Sequence, residues 1–151
     1  MMTHEDLRSF IQDRPELNRL LAREEFLPEQ ISTAIKYTIN RFNEIPPLTD
    51  FVPTDESNFP FPSLLLTGVL SNLLLGKALE RGRNRLAYST DGVSIDDQSM
   101  IELYISIGNQ LKGEFENSAK QIKIAENIKQ GWSNIPSEYS QRYFTRTMKF
   151  I

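Results

Sequence analysis

The stretch SLLLTGVLSNLLLGKALER, Ser63 to Arg81, constrains the fold more than any other. It reads as one helix that is apolar on almost every side, and such a helix needs neighbours on several sides to cover it. Asn72 and Lys77 interrupt the run, which is short for a bilayer span of ~20 apolar residues. A central helix buried in a bundle is therefore predicted, with no membrane contact. Gly68, Asn72 and Gly76 recur every fourth residue and form a narrow ridge suited to close helix approach.

Elements to cover this helix are present on both sides of it. Thr3 and Asp6 resemble a helix start, followed by Leu7, Phe10 and Ile11 at helical spacing. Pro15 suits the first position of another short helix carrying Leu17, Leu20 and Leu21. From Pro28, the residues Ile31, Ile35, Ile39 and Phe42 form a stripe flanked by Ala34 and Thr38. The segment Ile45-Pro46-Pro47 ends that helix, because a residue before proline is pushed out of the helical region. Further on, Met100, Tyr104, Ile107, Leu111, Phe115, Ala119, Ile122 and Ala125 continue one stripe toward Lys129. Asp96 or Asp97 is the expected N-cap and Gly131 the expected C-cap. Gly108 and Gly113 weaken this long helix locally, and Glu116 with Lys120 offers an i,i+4 ion pair.

Three segments are not helical in pattern. Residues 44–62 hold five of the eight prolines, four acidic side chains and no basic one. Phe51, Phe59 and Phe61 argue against free disorder, since disordered segments are poor in aromatics. A loop strapped across its own helices is favoured over an arm reaching a neighbour. Asp91-Gly92 is a preferred two-residue turn and predicts a β-hairpin over about 85–95. In that register Leu86, Tyr88, Val93 and Ile95 share one face, and a lone hairpin needs that face covered. The C-terminal tail, 132–151, is β-prone and aromatic at its end. From Gln141 it carries Arg142, Arg146 and Lys149 and no acid. In extended form Phe144, Arg146, Met148 and Phe150 lie on one side, and Ile151 lies on the other with Tyr143. Strand addition to another chain and pairing with this chain's own hairpin are equally compatible with it. The fold class predicted is mainly α. A single domain over 1–151 forms a small helical bundle with one long C-terminal helix, an inserted hairpin, a Pro-rich loop and an extended tail.

The chemistry implied is sparse. No cysteine is present and His4 is the sole histidine, so thiolate, zinc and Ser-His-Asp arrangements have no residues to build them. No phosphate-binding glycine loop or calcium loop is present, and STDGVSIDD reads as a turn plus a helix cap. No catalytic residue, metal ligand or cofactor site is assigned, although a carboxylate hydrolase is kept as the least favoured reading. Seventeen basic against twenty acidic residues leave a charge of −3, which speaks against general nucleic-acid affinity. The N-terminus is charged and lacks the apolar core of a signal peptide. Arg81, Arg83 and Arg85, with Lys77 a turn earlier, form the densest basic cluster. The reading placed first is a solvated helix end favourable to the dipole. Next comes a clamp onto Asp50, Asp55 and Glu56 of a neighbouring copy, and third a contact with passing nucleic acid.

The order of elements has one family-level likeness. A helical N-terminus, AIKYTINRFNEIPPLTDF, an apolar central helix, RNRLAYSTDGVSIDD, a long helix and a tail resemble the neck proteins of tailed bacteriophages. Asn43, Pro46, Pro47, Asn84, Leu86, Tyr88, Asp91 and Gly92 carry the likeness. The resemblance implies a non-enzymatic virion protein, made in the host cytoplasm, that joins the portal to the tail. It further implies a homo-oligomeric, dodecameric ring docked on the portal protein and on the next neck component, with DNA passing unread through its lumen. Partner-binding residues expected on this basis are Arg81, Arg83, Arg85, Tyr88, Asp50, Asp55, Phe144, Arg146, Met148, Phe150 and Ile151. The competing expectation is a small cytoplasmic helical adaptor or regulator, dimeric and acting through its long helix.

Overall fold

A computed structural model describes residues 4–18, 23–84, 88–90, 93–95 and 98–133. It is mainly helical: α1 (His4–Ile11), α2 (Pro28–Glu44), α3 (Pro62–Arg83) and α4 (Gln98–Ser133). The strands β1 (Tyr88–Thr90) and β2 (Val93–Ile95) pair antiparallel, Tyr88 opposite Ile95 and Thr90 opposite Val93. The turn between them and their side-chain environment lie outside the described residues, so the fold class rests on the helices. The tail from 134 also lies outside them, and with it Phe144, Arg146, Met148, Phe150 and Ile151.

α3 runs between α2 and α4, antiparallel to both. On one side Asn72 donates to the Thr38 hydroxyl at 2.9 Å. On the other, the Ser71 hydroxyl donates to the Gly108 carbonyl at 2.9 Å, and Arg81 stacks on Tyr104. This two-sided contact is why α3 is apolar nearly all round. Leu64, Leu65, Val69 and Leu73 enter the main core with Ile31, Ile35, Ile39 and Phe42 of α2 and Phe115 and Ala119 of α4. α3 is long and apolar enough to cross a membrane by length and composition. In the fold it is the element around which the others pack.

The expected small-residue ridge is used at two of its three positions. A Cβ on Gly68 would overlap the Thr38 methyl and lie 2.9 Å from the Phe115 ring, so glycine permits this close approach. Asn72 bonds Thr38 one turn on. Gly76 faces open space, with nothing within 4 Å of an added Cβ. α2 and α3 therefore touch closely near Gly68 and leave a channel toward Gly76.

α4 is continuous through both Gly108 and Gly113 and passes Gly131 to end at Ser133, two residues beyond the expected C-cap. Gly108 is a packing site rather than a weak point, because a Cβ there would lie 2.9 Å from Leu75. The predicted stripe holds from Leu111 to Ile122 but slips at its ends. Met100, Ile107 and Ala125 are exposed, while Ile101, Gly108 and Lys123 are buried. A straight helix keeps one face toward a straight neighbour only over a limited length, because 3.6 residues per turn drifts against any shorter apolar repeat. At 1.5 Å per residue, its 36 residues extend roughly 54 Å, far past the end of α3. Glu116 does not serve the expected pair with Lys120. It accepts from the Arg41 guanidinium of α2 at 2.8 Å.

The N-terminal region also departs from the pattern. No helix starts at Pro15 among the described residues. Leu17 and Asn18 both donate to the Arg14 carbonyl, closing a single turn. Gln12, at φ 57°, ends α1 in the left-handed region. Asp13 then gathers the chain. It accepts the Glu25 and Phe26 amides at 2.6 and 3.0 Å and the Arg8 guanidinium at 3.0 Å. α1 is thereby tied to the residues that lead into α2, and Leu7 enters the core.

Residues 45–61 lie across the bundle as a strap, the favoured of the two expected arrangements. Phe59 is buried against Phe42, ring centroids 5.0 Å apart and edge to face. Pro53 is buried, and its carbonyl accepts from Asn43 at 2.9 Å. Asn127 of α4 donates to the Leu48 carbonyl at 3.0 Å.

Candidate functional site

The channel between α2 and α3 opens into a groove of about 640 Å3. Ala34, Leu73 and Gly76 lie among its lining residues, and Thr33, Leu75 and the exposed Tyr37 and Leu79 border it. Two large apolar side chains, Tyr37 at 65% and Leu79 at 70% exposure, thus flank one concave surface. The signal for Leu79 was present in the all-round apolar character of the helix. Tyr37 was missed, because it lies off the stripe that defines the buried face of α2.

Charged residues close the groove at the end where α3 finishes. Glu25 lies between Arg81 at 3.3 Å and Lys77 at 4.0 Å, and Lys77 also meets Glu80 at 3.2 Å. The Arg81 guanidinium sits over the Tyr104 ring, 5.2 Å from its centroid. Burial, with the Glu25 charge adding to it, raises the Tyr104 hydroxyl pKa; Arg81 partly opposes this. Glu25, Lys77, Glu80 and Arg81 also border an adjoining polar hollow of about 290 Å3. Arg81 therefore joins the end of α3 to α4 and to the segment before α2 within one chain. That is a different use from the expected clamp on Asp50, Asp55 and Glu56.

The other expected contact residues are dispersed. Arg83 is exposed on the groove rim. Arg85 lies outside the described residues, as does the side chain of Tyr88. Asp50 is exposed on the strap. Asp55 organises a local turn, accepting the Ser57 and Asn58 amides at 2.8 and 3.1 Å. The Ser57 hydroxyl, and then the Asn58 amide, lower its pKa by stabilising the carboxylate. The paired carboxylates Glu24 and Glu25 are split between Arg8 and Arg81.

Among the described residues the most deeply buried charged side chain is Lys123, 2% exposed. Its ammonium donates to the carbonyls of Ile45 at 2.7 Å and Asn43 at 3.2 Å, and lies 4.8 Å from the Phe42 ring centroid. Desolvation lowers its pKa. It caps the carbonyl end of α2, where a positive charge suits the helix dipole. Position 123 fell beside the predicted stripe, and no local pattern marks a lysine for burial. Among the described residues, no three His, Asp or Glu side chains form a metal-binding group.

No protein-family signature, no curated protein and no solved structure matches the chain.

Proposed function

We propose that this protein is a structural assembly subunit, an adaptor of the tailed-bacteriophage neck whose copies form a ring between portal and tail. The observation that carries the assembly reading is the α2–α3 groove, bordered by exposed Tyr37 and Leu79 and closed by paired charges. Concave apolar surfaces rimmed by polar groups mark protein contacts, and aromatic side chains are enriched at them. The phage assignment rests on the order of sequence elements described above. In this reading the hairpin at 85–95 finds its cover between copies, and DNA passes the lumen without base contacts. The net charge of −3 suits a conduit that does not hold phosphates tightly.

Particle imaging and native mass measurement of the purified chain test this directly. Closed rings, or rings formed when portal protein is added, are expected. Tyr37→Asp with Leu79→Asp should lower the assembled fraction at least tenfold while leaving the helical content unchanged. A chain that stays monomeric at every concentration, with and without portal, would overturn the proposal.

A dimeric helical adaptor is the second reading, and one observation favours it. Leu103, Ile107, Ile124 and Ile128 are exposed on α4, and a helical seam between two copies could cover them. A mass of two chains that persists on addition of portal would select it.

A further inference from the structure

We infer that the C-terminal segment 142–151 of a second copy seats on the strap, with an aromatic side chain in a pocket between strap and α4. This deepens the assembly reading and rests on it. The pocket holds about 240 Å3 and is lined chiefly by Phe42, Phe51, Phe61 and Ile122, with Thr49 and Glu126 also lining it. A cavity of roughly 150 Å3 accepts benzene, so one phenyl ring fits. The surface beside it is apolar and uncovered: Leu48 is 74% exposed, and Val52 and Phe51 are exposed with it.

Charge identifies the occupant. Residues 44–62 carry Glu44, Asp50, Asp55 and Glu56 and no cation. Glu44 already meets Arg41 at 3.6 Å and Asp55 holds its own turn, so Asp50 and Glu56 carry the complementarity, and Glu126 adds a further carboxylate at the pocket. Lys123 also lines the pocket, but its ammonium is already given to the Ile45 and Asn43 carbonyls. Residues 142–151 have the complementary composition: Arg142, Arg146 and Lys149, no acid, Tyr143 and Phe144 between the arginines, and Phe150 after the lysine. The basic cluster on α3 is a poorer partner, since Arg81 is engaged with Glu25 and Tyr104 in its own chain.

The course of α4 favours a second copy over the chain's own tail. Asn127 donates to the Leu48 carbonyl of the strap, and the helix continues to Ser133, roughly 9 Å further on. Ile128, Lys129, Gln130 and Gly131 are all exposed along that projection. α4 therefore runs seven residues past Glu126, the furthest of its residues lining the pocket. The eighteen residues after Ser133 extend at most roughly 60 Å, enough to cross to a neighbouring molecule.

The absence of native cysteine makes a crosslinking test clean. One full-length preparation carries Asp50→Cys, and another, distinguished by a mass label, carries Phe150→Cys. They are mixed under assembly conditions and oxidised. A disulfide between the two chains is expected, and Arg142→Glu with Arg146→Glu and Lys149→Glu should reduce its yield about tenfold at low salt. A chain carrying both cysteines that closes only onto itself would show that the tail covers its own strap, which overturns the proposal. No crosslink from either Asp50→Cys or a second probe, Thr49→Cys, would also overturn it. Rings without the crosslink would leave the assembly reading standing and remove this one. The crosslink without rings would keep copy-to-copy assembly through the tail and overturn only the closed ring.

Discussion

Lys123 donates a 2.7 Å hydrogen bond to the carbonyl of Ile45, a residue 78 positions earlier in the chain. One side chain thereby joins the long helix, the end of α2 and the start of the strap. A buried ammonium normally requires a carboxylate to offset its desolvation. Here two carbonyls and the face of Phe42 take that role. Lys123→Ala should cost about 2–4 kcal/mol in urea denaturation, from lost packing and from carbonyls left without a donor. An unchanged midpoint would show that water replaces the ammonium without cost.

The same residue predicts a pH dependence. Burial lowers its pKa below the ordinary 10.5, so the unfolded chain binds more protons in the interval ending at 10.5. Stability from this group therefore rises as pH climbs through that interval. Denaturation midpoints at pH 8, 9 and 10 should show the wild type gaining on Lys123→Met as pH rises. A gap that stays constant or closes would contradict a depressed pKa.

Asp13 should be the most sensitive position in the N-terminal region. It is 4% exposed and accepts two backbone amides and the Arg8 guanidinium. Asp13→Ala leaves buried donors unpaired and should cost about 2–4 kcal/mol. Hydrogen exchange at the Glu25 and Phe26 amides should rise with it. Retained protection at those amides would show that another acceptor serves them.

Two glycines of α3 should respond in opposite directions to alanine. Gly68→Ala drives a methyl into Thr38 and Phe115 and should destabilise by about 1–3 kcal/mol despite the better helix propensity. Gly76→Ala meets nothing within 4 Å and should stabilise by about 0.5–1 kcal/mol. Thermal unfolding of both variants measures the pair. Equal shifts would mean that the close α2–α3 approach is not as described.

Arg81 and Arg83 should separate in the same way. Arg81→Gln removes the contacts to Glu25 and Tyr104 and should lower stability by about 1 kcal/mol. Arg83→Gln, on the exposed rim, should leave it within about 0.5 kcal/mol. Comparable losses from both would place Arg83 in the same internal network.

Much of the helical plan was legible locally. Ile31, Ile35, Ile39 and Phe42 are all buried as their spacing requires, because the period of a helix assigns its own inward face. Pro46 and Pro47 ended α2 through a clash that needs no tertiary partner. The composition of Ser63–Arg81 demanded neighbours on several sides, and α3 has them. For the proposed groove, Leu79 was legible in that composition, but Tyr37 was not, since exposure beside a second helix leaves no local mark.

What tertiary structure alone decided are the relationships between distant segments. Local patterning determined which segments coil and which face of α2 turns inward. It did not determine the phase of α4 at its ends, where Ile101 and Lys123 replace Met100 and Ala125 in the interior. That phase depends on how long α3 and the strap remain beside a helix that drifts as it runs. Nor did it mark Lys123 or Asp13 for burial, since charged residues are ordinarily left in water. Their burial becomes tolerable only when backbone groups from far along the chain arrive at hydrogen-bonding distance. The sequence by itself thus determined the helices and the core stripe of α2. The fold decided which polar groups give up water, because the partners that compensate them meet only in three dimensions.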